Sequence, residues 1–191
     1  MYMFNEMASF INSFEIQCDT PTRMAYDRKD LAAENFDLDQ FLTDHAGEYT
    51  VFINGSCNLK TGDGAYKCVS VYNRFNRKMG RDLPNQTSAV SSIVSGLLEM
   101  FPHLTVKGKK VNLVFAQELS LMPCGSTQLD HLKTAFCDLC KEKGFTLTLY
   151  KLRGETAANT IRQIVGMPVK STKKFSPVKY SGNLSCFQSL I

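Results

Sequence analysis

EYTVFINGSCNLKTGDGAYKCVSVYN, residues 48 to 73, holds two runs of β-branched and aromatic residues on either side of a glycine-rich turn. YTVFI reads as a strand, KTGDG at 60 to 64 as the turn and AYKCVSVYNRF as the returning strand. Branched and aromatic side chains suit a pleated, half-buried surface, and glycine accepts the backbone of a tight reversal. A third, short strand is expected through RKMGRDL before Pro84.

Downstream the period changes. Ala89, Ile93, Val94, Leu97, Leu98 and Phe101 share one helical face and Pro102 stops the run. KVNLVFA is a buried strand. A helix with Leu129, Leu132, Phe136 and Leu139 as its stripe follows, capped by Ser126 and closed by Gly144. FTLTLYKL makes the fifth strand and ETAANTIRQIV the last helix. The order from Glu48 to Gly166 is therefore three strands, helix, strand, helix, strand, helix.

Two segments flank this domain. Residues 1 to 47 read as a helical extension: Phe4, Met7, Ile11 and Phe14 recur at helical spacing, Thr20-Pro21 interrupts, and DLDQFLTDH at 37 to 45 is a short helix capped by Asp37. Residues 167 to 191 carry Pro168, Lys170, Lys173, Lys174, Pro177 and Lys179 without apolar period and read as a mobile basic tail. Its final Ser189-Leu190-Ile191 also suits capture of a free carboxylate at a partner's sheet edge.

The element order and four motifs resemble the ribonuclease H family. FINGSCNLKTGDGAYKCVSVYN is similar to the family's opening, a strand ending Asp-Gly-Ser, a glycine-rich turn and a Gly-Tyr pair, with Gly55, Ser56, Gly62, Gly64 and Tyr66 matching. NQTSAVSSIVSGLL resembles its Thr-Asn-Asn-x-Ala-Glu helix start, VNLVFAQEL its strand ending Thr-Asp-Ser, and LTLYKLRGETAANTIRQIV its closing strand, Lys-Gly-His loop and Ala-Asp helix. The resemblance implies an α/β fold, a five-stranded mixed sheet flanked by helices, with the N-terminal segment as a helical extension.

It also implies where a nuclease site would lie. The family uses four carboxylates to hold two magnesium ions about 4 Å apart. The first corresponds to Asn54, the helix glutamate to Val90, the third to Gln117 (or Ala116 if the register shifts by one) and the last to Asn159. None is acidic. Magnesium is hard and dehydrates reluctantly, so amides and an aliphatic side chain do not make a two-metal site, and no cofactor or metal is expected. Val90 stands one helical turn from Ile93 and Val94 and extends their apolar stripe. Glu118, reached by a further register shift, and Glu155, in place of the loop histidine, are the acidic residues through which a single-ion, residual nuclease would have to work.

Cationic residues supply the nucleic-acid candidates. Arg74, Arg77, Lys78 and Arg81 surround the second turn with Tyr72 and Phe75 among them, Lys107, Lys109 and Lys110 precede the fourth strand, and Lys151 and Arg153 end the fifth. Gln86 and Thr87 stand where the family has its amide-bearing pair. Loss of four carboxylates also removes a repulsion that bound metals would otherwise cancel, so phosphate contact without magnesium is admissible. Cys124, His131, Cys137 and Cys140 invite a zinc reading, but His131 and Cys137 lie about 240° apart on the expected helix and cannot converge with the others.

Composition bounds the rest. With 43% apolar and 21% charged residues, the 191-residue chain is an ordinary globular protein able to bury a core. Net charge +4 permits a phosphate-rich partner but falls short of a strongly basic binder. There is no basic leader before an apolar run and no stretch of eighteen apolar residues, so an intracellular place, cytoplasmic rather than nuclear, away from membranes, is expected. Seven scattered cysteines fit reduced thiols, and three Asn-x-Ser/Thr matches at Asn54, Asn85 and Asn183 are then chance. The expected function is a catalytically inactive RNase H-like module, of viral or retroelement type, binding RNA or RNA–DNA duplex by backbone contacts. The alternative is a protein-interaction platform, in one form a homodimer.

Overall fold

The computed structural model describes residues 24–170, 176–182, 184 and 187. The helix expected around Phe4 to Phe14, Lys173, Lys174 and the terminal Ser-Leu-Ile lie outside them. The elements are β1 (Tyr26–Ala32), α1 (Leu38–Asp44), β2 (Tyr49–Cys57), β3 (Gly64–Tyr72), β4 (Phe75–Leu83), α2 (Ala89–Met100), β5 (Lys110–Phe115), α3 (Thr127–Lys143), β6 (Thr146–Arg153) and α4 (Ala157–Ile164). One sheet takes all six strands in the order β1-β6-β5-β2-β3-β4. β2, β3 and β4 are antiparallel neighbours, and β5, β6 and β1 add on in parallel.

Strand alternation divides the interior into two layers. Val51 and Ile53 of β2 point into a core with Ile93, Val94 and Leu97 of α2 and Phe136 and Cys140 of α3. Phe52 points the other way, to Phe41 of α1, Ile161 and Ile164 of α4, and Val178, Tyr180 and Phe187 beyond them. Both faces of the central strand are covered, which explains why YTVFI is a continuous apolar run.

Local chemistry sets the helix ends. Asp37 accepts a hydrogen bond from the Gln40 amide at 3.0 Å, the expected cap of α1. At α2 the cap is Ser88: its hydroxyl accepts from the Ser91 amide at 3.0 Å, while Ser91 Oγ accepts from the Ser88 amide at 3.2 Å. Ser126 occupies the cap position of α3 without a side-chain bond. The Asp130 carboxylate instead accepts from the Cys124 and Gly125 amides at 2.8 and 3.0 Å, and these bonds lower its pKa. Gly144 ends α3 at φ +67°, a left-handed conformation glycine adopts without strain.

Two expectations are corrected. The sheet has six strands rather than five, because Tyr26–Ala32, placed by sequence in a helical extension, pairs in parallel with β6 from Tyr26↔Leu147 to Ala32↔Arg153. The segment after α4 is not simply a loose tail, since Val178, Tyr180 and Phe187 are buried. The Val178 amide donates to Gln163 Oε1 at 2.7 Å, the Gln163 amide group donates back at 3.2 Å, and the Ser181 amide donates to Asp39 at 2.9 Å.

Candidate functional site

Asn54 lies near the end of the central strand, and Gly55 beside it lets α2 approach. A Cβ on Gly55 would stand 2.6 Å from the Ala89 carbonyl and 2.7 Å from Ile93 Cγ1, so only glycine fits. This close approach brings the start of α2 and the end of β5 against Asn54. Gln117, just past β5, donates from Nε2 to Asn54 Oδ1 at 2.8 Å and to the Gly55 carbonyl at 3.0 Å. Val90 is half-buried against the α2–α3 core.

The pocket is covered. Met167 crosses it, its sulfur accepting from Asn54 Nδ2 at 3.0 Å, and Asn54 is only 1% exposed. Asn159 on α4 holds the same segment further along: its Nδ2 donates to the Lys170 carbonyl at 2.7 Å and its Oδ1 accepts from the Lys170 amide at 3.0 Å. Arg162 Nε donates to the Pro168 carbonyl at 2.7 Å, and Lys67 Nζ donates to the Gly166 carbonyl at 3.0 Å. Residues 166 to 170 thus form a strap fixed from α4 and β3. Asn54 and Gln117 are joined beneath it, while Asn159 bonds the strap itself.

Glu118 points away from this pocket, into ion pairs with Arg28 of β1 and Lys151 of β6. Among the described residues no group of three or more His, Cys, Asp or Glu side chains is arranged so that it could hold a metal ion. The cysteine cluster disperses as the helix geometry requires. Cys140 is buried beside Phe136, His131 is exposed, and Cys124 is exposed on the loop before α3. Burial pushes the Cys140 thiol well above the usual cysteine range, and pushes that of Cys68 up to about 12.

The structure separates the cationic candidates. Register sets Ser70 opposite Arg77 and Tyr66 opposite Arg81 on one face, and Val69 opposite Lys78 on the other, so the β4 cluster is split between two surfaces. Lys78 lies against Gly166 of the strap. Arg81 is taken by Glu99, with Nε 2.9 Å from both carboxylate oxygens. Hydrogen bonding from Arg81 lowers the Glu99 pKa, opposed by desolvation and aided by the Tyr66 hydroxyl. Lys151 pairs with Glu118, and Arg153 Nε lies 2.6 Å from Asp30. Gln86 turns inward over Gly64 and donates to the Pro84 carbonyl at 3.1 Å, whereas Thr87 is exposed. Arg74 and Arg77 remain exposed at the β3–β4 turn.

Sequence reasoning missed the strap and the carboxylate partners. Arg28 and Asp30 belong to the strand it did not see, and Met167 had no signal beyond being one apolar residue in a lysine- and proline-rich run.

Three antiparallel strands followed by two parallel ones make the mixed sheet the motifs imply, here in the spatial order β6-β5-β2-β3-β4. The fold is ribonuclease H-like. β1 is an addition at the β6 edge. No protein-family model matches the sequence, and neither does any curated protein sequence. Solved structures similar in shape include the N-terminal RNase H domain of a Mycobacterium tuberculosis protein, as a fusion with maltose-binding protein. It is 10% identical at TM-score 0.48, over 60% of this chain and 95% of that one. Another is RNase H1 of the halophilic archaeon Halobacterium salinarum, 12% identical at TM-score 0.47, over 60% and 94%. Among the described residues no helix is long and apolar enough to cross a membrane.

Proposed function

We propose that this chain is an RNase H-like module without nuclease activity that binds RNA, or an RNA–DNA duplex, through the sugar-phosphate backbone. The observation that carries the inactive half of the reading is the closed amide pair. Asn54 and Gln117 hydrogen-bond each other under Met167, where a two-metal nuclease needs open, charged oxygens. Glu118, the acidic residue closest in sequence, is already held by two cations. Support for binding comes from exposed cations, Arg74 and Arg77 above all, that form no ion pair among the described residues.

The test has two arms. Incubation of the full chain with labelled hybrid and magnesium or manganese is expected to leave the substrate intact; cleavage that vanishes in Glu118→Ala would assign residual nuclease activity instead. Filter binding of RNA and of hybrid is expected to show affinity that falls steeply with salt and weakens in Arg77→Ala. A second reading, a protein-interaction module, is favoured by the strap, which covers the groove a nucleic-acid duplex would use. Negligible RNA and hybrid binding at low salt would select it.

A further inference from the structure

At the far end of β2 from Asn54, the strands β3 and β4 meet in the turn Tyr72-Asn73-Arg74-Phe75, with Asn73 at φ +53°. Asn54 faces Lys67 and Thr50 faces Val71, so this end lies ~17 Å from the pocket at about 3.3 Å per residue. A cleft of about 400 Å³ opens there, lined by Tyr72, Phe75, Arg77, His103 and Val106 among others, and among the described residues no carboxylate lines it. Phe75 is 77% exposed although it sits in a strand. Tyr72 is stacked at a tilt on Tyr49, ring centroids 4.5 Å apart, and Tyr49 is in turn fixed by the Val106 amide donating to its hydroxyl at 3.0 Å. Lys109 Nζ stands 6.0 Å from the Tyr72 ring centre.

We propose that this cleft binds an unpaired stretch of nucleic acid, one base stacking on Phe75 and Tyr72 while Arg77 and Lys109 hold the adjoining phosphates. This rests on the binding reading above and names the site and the strand state. Charge and shape select the occupant. An aromatic ring left open to water among cations fits a π-face followed by phosphates, whereas a duplex buries its base faces and offers only backbone. Tyr72 is held in place by Tyr49, so the platform is already ordered before a ligand arrives.

The experiment is fluorescence anisotropy with the full chain and labelled 12-nucleotide oligouridine, oligodeoxythymidine and an RNA duplex of equal length, each over a salt series. Single strands are expected to bind more tightly than duplex, and Phe75→Ala to remove that preference with a loss of about tenfold. Arg77→Ala should flatten the salt dependence by about one counterion. Leu59→Ala, equally exposed at 78% in the β2–β3 turn, should change nothing. Equal tightness for the ribose and deoxyribose strands supports stacking and phosphate contact as the recognition. If Phe75→Ala binds single strands as well as the parent does, this site is wrong while the module reading stands. If no nucleic acid binds at low salt, both fall. If sedimentation shows a dimer that Phe75→Ala dissolves, the cleft belongs to a second copy and the proposal is overturned.

Discussion

The two ends of the central strand have been treated oppositely. At the Asn54 end, polar side chains that a nuclease would leave open to water are folded into bonds with one another and roofed by Met167. At the Tyr49 end, an aromatic residue that a sheet would normally cover is left in solvent beside Arg77 and Tyr72. Burial of Asn54 is tolerated because its amide nitrogen and its oxygen are both paired, whereas the Phe75 ring is left without that cover. One sheet thus carries a closed polar end and an open aromatic end.

The harshest way to break this contrast is Asn54→Asp. A carboxylate placed beneath the strap loses the donor to Met167 and becomes a buried charge, while Lys67, opposite it across the β2–β3 ladder, already donates to the Gly166 carbonyl; the change should cost about 3 kcal/mol of stability at neutral pH in urea titrations. A variant as stable as the parent would mean that the pocket is wet, and the contrast would fail. Gly55→Ala drives a methyl into the α2 backbone and should cost roughly 1–3 kcal/mol by the same measurement. Met167→Ala removes a half-buried roof. We expect about 1 kcal/mol, together with faster amide exchange at residues 167 to 170, a local effect that Gly55→Ala should not mimic.

A pH profile sharpens the contrast on the open side of α2. Arg81 holds the Glu99 pKa below its ordinary value, so the stabilisation is present above the usual glutamate range and is lost as pH falls through the lower folded value. Glu99→Gln should remove that part of the acid sensitivity and leave the neutral-pH fold intact. The smallest effect is expected for Phe75→Ala, within about 0.5 kcal/mol of the parent in stability, even where the proposed binding is lost.

Much of the architecture was legible, and the reasons are local. The β2–β3 hairpin announced itself because Gly62 and Gly64 sit between two apolar runs, and α2 because its stripe recurs at three and four residues. β1 was illegible because YDRKDLA is an edge strand whose burial shows no alternation, so the period that identifies strands is missing. At the candidate site, the residues at the four positions that the resemblance assigns to carboxylates, Asn54, Val90, Gln117 and Asn159, could be read directly, but the bonds they make could not. Arg81 finds Glu99, Lys151 finds Glu118 and Arg153 finds Asp30 only after the chain has folded, and a row of cations in sequence cannot reveal which ones are already paired. The strap failed to show for a related reason: its anchors, Asn159 and Arg162, bond to backbone, which carries no sequence signature.

The parallel pairing of β1 with β6 sets a schedule for synthesis. Tyr26 must wait for Leu147, about 120 residues later, before it can enter the sheet. At roughly 5–20 residues per second on a ribosome, that is ~6–24 s during which β1 has no place to dock. Asp27, Arg28, Lys29 and Asp30 give the waiting strand alternating clusters of charge, the feature that discourages a bare edge from joining a neighbouring nascent chain. The same residues that hid this strand from a reading of the sequence keep it soluble until its partner emerges.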